Sequence, residues 1–344
     1  MNYVNKEKRI NIRALIAVLV CIALIAAVVV FDFAKSNSEY QTTSIAMKTI
    51  INVRIFGFDG EAIAEAVKEN ISETETALLS RTEKNSDIYR INAAAGTPVS
   101  ISTETAQIIA DAIDVSKNCG GVFDITIGEV TKLWGFGTDN QRLPSDDEIE
   151  AHLSDVAYTS VQTTDTTICI AEKQSLDLGA VGKGAACDRV RELLADSPAD
   201  SAVISVGGSL LLYGKRNFNI GIVNPENDQA SVASLKLSDT CVSTSGNYEK
   251  FFVQDGKTYH HILDATTGYP ATSALSSVTV VCNSGVLSDA LSTACYILGY
   301  HSSLSLLEMY EAEAVFVYKD KTIRLTEGIE KDFTLTDESF AVIK

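Results

Sequence analysis

The sequence predicts an α+β domain preceded by one N-terminal transmembrane helix. Three observations carry that prediction. Strand-like and helix-like segments alternate along the chain, which brings sheet and helices together in one domain. Two strand pairs are joined directly across Asp255-Gly256 and Lys319-Asp320, which demands antiparallel neighbours. Residues 14–31 form an unbroken apolar run with Lys6, Lys8, Arg9 and Arg13 ahead of it.

That run comes first in the chain. Its 18 residues include no charge, Pro or Gly. At about 1.5 Å per residue it reaches roughly 27 Å, close to a bilayer core. The basic flank, opposed only by Glu7, places residues 1–13 in the cytoplasm as a basic tail and the rest outside. No small-x-small site closes the run, and Val20 precedes Cys21 where a lipid anchor needs a small residue. An uncleaved anchor over residues 14–34 is therefore favoured over a cleaved signal or a lipid anchor. Residues 35–44 read as a polar linker and residues 45–344 as the extracytoplasmic domain.

Within that domain, residues 48–56 hold Ile50, Ile51, Val53 and Ile55 and read as a strand. Residues 61–79 carry Ile63, Ala64, Val67, Ile71 and Leu78 at helical spacing, and a polar loop follows over 80–87. A second helix over 104–118 is entered from Ser102 and Thr103 and stopped by Gly120-Gly121. Residues 201–206 form an apolar strand ending in Gly207-Gly208. Residues 251–253 and 258–262 flank the Asp255-Gly256 turn. A β-branched strand over 277–282 leads to helices over 286–298 and 304–310. The strands over 314–318 and 322–325 form a closing hairpin.

Charge and cysteine usage narrow the function classes. The chain has 344 residues, with 28 Lys+Arg against 45 Asp+Glu, a net charge of −17. The first 13 residues carry +3, which leaves −20 on the remainder. Phosphate polymers need clustered Lys and Arg, so nucleic acid is excluded as a partner. The mean hydropathy of +0.11 is high for so acidic a chain, and the apolar run explains it. Seven cysteines are widely spaced, with no CxxC and no Cys/His cluster, which argues against zinc and for small buried thiols.

Four constellations carry chemistry. Residues 177–184 read DLGAVGKG and run into a helix, where glycines admit a phosphate and Lys183 adds charge. The spacing is not that of a Walker A loop. Asp289 and Thr293 stand four apart, so they share a helix face, and both are hard oxygen ligands suited to Mg²⁺. The same Asp would equally serve a helix start. His260-His261 sit at a strand end before a Gly-Tyr-Pro turn, where a His can act as general base or lie inert on a hairpin. Residues 120–137 set the only Trp among glycines and aromatics, to stack on a flat ring or to cap the core.

Seven ordered segments resemble the ApbE family, the FAD:protein FMN transferases once called thiamine-biosynthesis lipoproteins. They are LSRTEKNSDIYRIN (79–92), FDITIGEVTKLWGFG (123–137), DLGAVGKGAACD (177–188), SVGGSLLLYG (205–214), STSGNYEKFF (243–252), YHHILDATTGYP (259–270) and SVTVVCNSGVLSDALSTA (277–294). The resemblance covers residues 45–329. It implies an ApbE-like mixed α/β domain with antiparallel sheets and helices. It also implies that Met47, Asp177 and Lys183 contact FAD, that Asp124 and Thr126 line its pocket, and that Ile262 touches the flavin nucleotide. The carbonyl of Ala180, the carboxylate of Asp289 and the hydroxyl of Thr293 match the family's Mg²⁺ ligands, and His261 its functional His. Departures stand at Lys48 for Gly, Thr82 for an aromatic, Ser209 for Asn, Asn247 for Asp and Ala265-Thr266 for Pro-Arg.

The activity implied is Mg²⁺-dependent transfer of FMN from FAD to a Thr or Ser hydroxyl of a target flavoprotein, with release of AMP. Lys183 would bind the pyrophosphate and His261 would take the hydroxyl proton. Family acceptors carry a Ser/Thr-Gly-Ala-Ser/Thr-like motif; this chain has neither Ser-Gly-Ala nor Thr-Gly-Ala, so it acts on another protein. Two alternatives share the site: hydrolysis of FAD to FMN and AMP, and flavin binding without catalysis. With −20 on the chain beyond residue 13, net charge cannot attract an anion, so binding must rest on Lys183, the metal and backbone N–H groups.

Overall fold

Ile51, Val53 and Ile55 recur at every second position, and a strand sets every second side chain on one face. In the computed structural model, which describes residues 20–26, 38–94 and 96–343, all three are fully buried on β2 (Thr49–Gly57). β2 pairs with β1 (Glu39–Ala46) on one side and with β3 (Ala199–Val206) on the other. Next come β4 (Ser209–Gly214), β5 (Thr240–Gly246), β6 (Leu275–Cys282), β7 (Glu313–Tyr318), β8 (Thr322–Leu325) and β9 (Ala341–Val342). These strands form one nine-stranded sheet whose spatial order is its chain order. Its pairs are antiparallel except β8 with β9.

The connections decide what covers each face. Between β2 and β3 run α1 (Gly60–Glu73), α2 (Asp87–Ala93), α3 (Thr103–Asn118), α4 (Gly128–Trp134), α5 (Asp146–Leu153) and α6 (Gly182–Ala195). Between β6 and β7 run α7 (Gly285–Leu298) and α8 (Tyr300–Met309). On the helical face, Val53, Ile55 and Ile204 pack against Val67 and Ile71 of α1 and Val190 of α6. Each such side chain contributes about 1.5–3 kcal/mol by leaving water. Farther along, Val278 and Val280 of β6 join Leu291 of α7 and Ile109 of α3. The opposite face is covered by a three-stranded sheet (Phe218–Asn224, Asn227–Leu237, Phe333–Leu335), through Val232 and Leu235 against Leu212, Val242 and Val317.

Several boundaries differ from the sequence reading. Residues 39–46, read as linker up to residue 44, form edge strand β1, with Tyr40, Thr42, Ser44 and Ala46 half-buried on one face and Glu39, Gln41, Thr43 and Ile45 exposed on the other. The strand expected from residue 48 begins at Thr49, since Met47 and Lys48 are the hairpin turn, at φ 50° and 57°. The helix expected over 61–79 ends at Glu73, and Thr74–Leu79 widens into a π-helical turn. The hairpin expected to close the sheet at 325 is followed by β9. Most of the anchor expected over residues 14–34 lies outside the described residues, as do the basic tail and residues 35–37 of the linker; residues 20–26 are helical. Among the described residues no helix is long and apolar enough to cross a membrane.

The lone Trp resolves the choice left open for residues 120–137. Trp134 is fully buried, stacks on Phe136 at 5.5 Å and 9°, and donates from Nε1 to the Gly268 carbonyl at 2.8 Å. It caps a core and offers no face to a flat ligand. All seven cysteines are free, and Cys119, Cys187, Cys241, Cys282 and Cys295 are buried.

Candidate active site

Two glycines bring the Gly-rich segment to Asp289. A Cβ on Gly184, in the first turn of α6, would lie 2.0 Å from the Gly285 carbonyl oxygen. A Cβ on Gly285, at the start of α7, would lie 2.2 Å from the Gly184 carbonyl oxygen. Only backbone against backbone fits there. The contact lets the Gly184 N–H donate to Asp289 Oδ2 at 2.7 Å, while the Ser209 hydroxyl, at the start of β4, donates to Oδ1 at 2.5 Å. Asp289 is 4% exposed, and a buried carboxylate requires such donors. Asp188, one turn along α6, secures the same crossing: it accepts from the N–H groups of Gly285 and Val286 at 2.7 and 3.0 Å and from the Ser284 hydroxyl at 3.1 Å. A carboxylate at a helix N-terminus complements the dipole. Burial pushes the Asp188 carboxyl up, and these donors hold it down.

A hydroxyl layer lies beside Asp289. Ser245 Oγ is 2.8 Å from Ser292 Oγ and 3.2 Å from Thr293 Oγ1. Thr293 is half-buried one turn from Asp289, on the same face, as its spacing required. Asp289, Thr293 and the Ala180 carbonyl are hard oxygen donors of the kind Mg²⁺ takes. Gly184 N–H donates to Oδ2 and the Ser209 hydroxyl to Oδ1, which leaves each Asp289 oxygen lone-pair capacity for a cation. The donor chemistry therefore fits a hard divalent cation. Among the described residues no three His, Cys, Asp or Glu side chains are grouped to hold a metal, so water and substrate oxygens would complete the shell.

Lys183 opens α6 between Gly182 and Gly184, next to the Asp289 donor, and is half-buried. Met47 reaches the same loop from the β1–β2 turn, and a Cβ on Gly182 would meet its Cε at 3.6 Å. His261 is held by its N–H, which donates to the Lys250 carbonyl at 3.0 Å. Its Nδ1 is buried without a partner among the described residues. Burial, then Lys250, Lys183 and His260, press the imidazole down to about 3, so it is neutral at physiological pH.

Other expected residues take structural positions. Asp177 is a pin: Oδ2 lies 2.7 Å from the Thr131 hydroxyl and 2.9 Å from Arg81 Nη1, and Oδ1 accepts from the Gly179 N–H at 2.9 Å. Asp124 accepts from the backbone N–H and hydroxyl of Thr126, both at 2.8 Å, and from the Tyr158 N–H at 2.8 Å. Thr126 in turn accepts from the Ala157 N–H at 2.9 Å. Together they fasten two loops. A cavity of about 280 Å³ is lined by Asp124, Tyr158, Ala265 and Thr266, and by none of Lys183, His261 or Asp289. The Ile262 side chain is buried in the core, leaving its backbone as the part that can meet a ligand.

Sequence reasoning noticed Ser209 only as a departure and passed over Lys250 and Glu75. Lys250 lies in the quoted 243–252 segment, yet nothing local marks it. Loss of solvent and the charges of Lys183 and Lys48 lower its pKa, with Glu249 and Asp177 opposing. Lys250 thus stands with Lys183 as one of the two cations acting on His261.

The comparisons with known proteins agree with this geometry. The model of the ApbE family matches residues 47–316. An FAD:protein FMN transferase of Klebsiella pneumoniae is 34% identical, over 89% of this chain and 98% of its own. One of Treponema pallidum is 30% identical, over 88% and 91%. A crystal structure of the ApbE protein of Thermotoga maritima superposes with a TM-score of 0.80 at 30% identity, covering 86% of this chain and 99% of that one.

Proposed function

The chain belongs to the ApbE family, and from that membership we propose that it is an FAD:protein FMN transferase acting on a separate protein. The observation that carries the proposal is the Gly184–Asp289 hydrogen bond, which joins the phosphate-type loop bearing Lys183 to the carboxylate of a hard-cation site.

In this reading the N-terminus of α6 and Lys183 receive the pyrophosphate of FAD. The target's Thr or Ser hydroxyl attacks the phosphorus on the FMN side. The new bond is a phosphoester to FMN, the bond to the AMP phosphate breaks, and AMP leaves. His261 takes the hydroxyl proton, since its ring is neutral. The negative pyrophosphate offsets Lys183 and Lys250, which makes the ring a better base when FAD is bound. Mg²⁺ held by Asp289, Thr293 and the Ala180 carbonyl would supply charge neutralisation on the pyrophosphate. The acceptor carries a Ser/Thr-Gly-Ala-Ser/Thr-like motif. Residues 14–34 anchor the enzyme, with its acidic domain outside the cytoplasm.

The test is mass spectrometry of an acceptor domain incubated with the intact chain, FAD and Mg²⁺. The expected result is one FMN on a Thr or Ser, with AMP released in equal amount. AMP and FMN released equally without any acceptor would replace transfer by hydrolysis. Bound FAD with no covalent product and no AMP would leave a flavin-binding protein.

A further inference from the structure

We propose that Glu75 is a positioning residue for FAD binding, acting through the Met47–Lys48 turn. The inference rests on the FAD reading above. Met47 and Lys48 are both left-handed, at φ 50° and 57°. A two-residue hairpin turn demands this, and Asn and Gly meet the demand far better than Met or Lys. Something outside the hairpin must hold the turn. Glu75 does: its Oε2 accepts the Met47 N–H at 2.6 Å, from 28 residues away. A carboxylate acceptor makes this a charge-assisted bond.

Glu75 is aimed by the π-helical turn Thr74–Leu79, whose extra residue per turn rotates the helix out of its regular register. That turn is braced at both ends. The Ser80 N–H donates to the Glu75 carbonyl at 2.8 Å, and Arg189 donates to the Thr74 hydroxyl at 3.1 Å and lies 3.5 Å from Glu73. The turn and the π-helix then converge on one residue. A Cβ on Gly182 would meet Leu79 Cδ1 at 3.3 Å and Met47 Cε at 3.6 Å. Gly182 precedes Lys183. The Glu75 carboxylate thus closes a ring of contacts that runs from the strained turn, through Met47, onto the loop that meets the pyrophosphate. Without it the turn can relax, and Met47 leaves its place against Gly182, the residue before Lys183.

The test is FAD affinity of the intact chain, read by quenching of flavin fluorescence without acceptor. Glu75→Ala is expected to raise Kd about tenfold, the scale of one hydrogen bond to a charged group. Glu75→Gln, whose carbonyl can still accept, is expected to stay within about twofold. In a Lys48→Gly background, where glycine takes the left-handed turn freely, the Glu75→Ala effect should shrink below about twofold. Three results overturn the proposal. One is a lower melting temperature in Glu75→Ala with unchanged Kd, another is Glu75→Gln as weak as Glu75→Ala, and the third is the full Glu75→Ala penalty in the glycine background. Wild-type protein that fails to bind FAD would instead overturn the underlying FAD reading.

Discussion

The Gly184 N–H meets Asp289 Oδ2 at 2.7 Å across a crossing where the backbones of α6 and α7 touch. A side chain on either helix would end that contact. Gly184→Ala places a methyl 2.0 Å from the Gly285 carbonyl, and backbone cannot yield as a flexible side chain can. Overpacking of this kind costs about 3 kcal/mol, which for a chain of this size lowers the melting midpoint by roughly 5–10 °C. Gly285→Ala should behave alike, with its methyl 2.2 Å from the Gly184 carbonyl. Calorimetry checks both, and either variant melting as the wild type does would refute the crossing.

Asp289 offers a cleaner separation of charge from structure. In Asp289→Asn the amide oxygen can accept the Gly184 N–H, and the amide nitrogen can donate to Ser209, whose hydroxyl rotates to accept. The hydrogen bonds survive while the charge is lost. The expected result is a melting midpoint within a few degrees of wild type and transferase activity reduced about 100-fold or more. Titration calorimetry with Mg²⁺ should show weakened binding. Full activity in this variant would remove Asp289 from the reaction.

Much of this was legible beforehand, for identifiable reasons. The glycines of 177–184 and the Asp289/Thr293 pair are local patterns, and the structure brings one member of each, Gly184 and Asp289, together at the α6–α7 crossing. The β-branched strands and the Asp255-Gly256 turn are local as well, so β6 and the 251–260 hairpin emerge close to their expected bounds. What stayed hidden depends on distant partners. Nothing near Asp177 reveals Arg81 and Thr131, which turn it into a pin, and nothing near Asp124 reveals Tyr158. Glu75 looks like one more acidic residue on an amphipathic helix until the π-turn aims it at Met47. Strand β1 escaped because its half-buried face alternates polar with apolar residues, Tyr40, Thr42, Ser44 and Ala46, and shows no continuous apolar pattern.

The thiols give a test of packing that is independent of activity. Burial pushes the Cys119, Cys187 and Cys282 thiols up, and those of Cys241 and Cys295 to about 12. Cys241 and Cys282 face each other across β5 and β6, yet both are free. Reaction requires thiolate and access, and these five have neither. Of the cysteines beyond residue 38, maleimide at neutral pH should label only half-buried Cys169 in native protein, and the other five after denaturation. Mass mapping of the labelled peptides checks this. Native labelling of Cys241 or Cys282 would contradict the burial of that strand pair.

The two pH profiles of the reaction test the role of His261. Burial, Lys250, Lys183 and His260 lower its pKa to about 3 in the folded chain, against roughly 6.5 when unfolded. As pH falls below about 6.5, the unfolded chain takes a proton that the folded one refuses. Stability present above that pH is therefore lost as pH drops toward 3. His260, also lowered by burial, acts in the same direction. His261→Gln should flatten part of this slope when urea midpoints are compared between pH 7 and 4. Catalysis adds a second effect. The acid limb of kcat/KM reports the free enzyme, and that of kcat reports the FAD complex. Bound pyrophosphate counters the Lys183 and Lys250 charges that depress the ring, so the kcat limb should lie at higher pH than the kcat/KM limb. Coincident limbs, or a kcat limb that persists in His261→Gln, would assign the proton to another group.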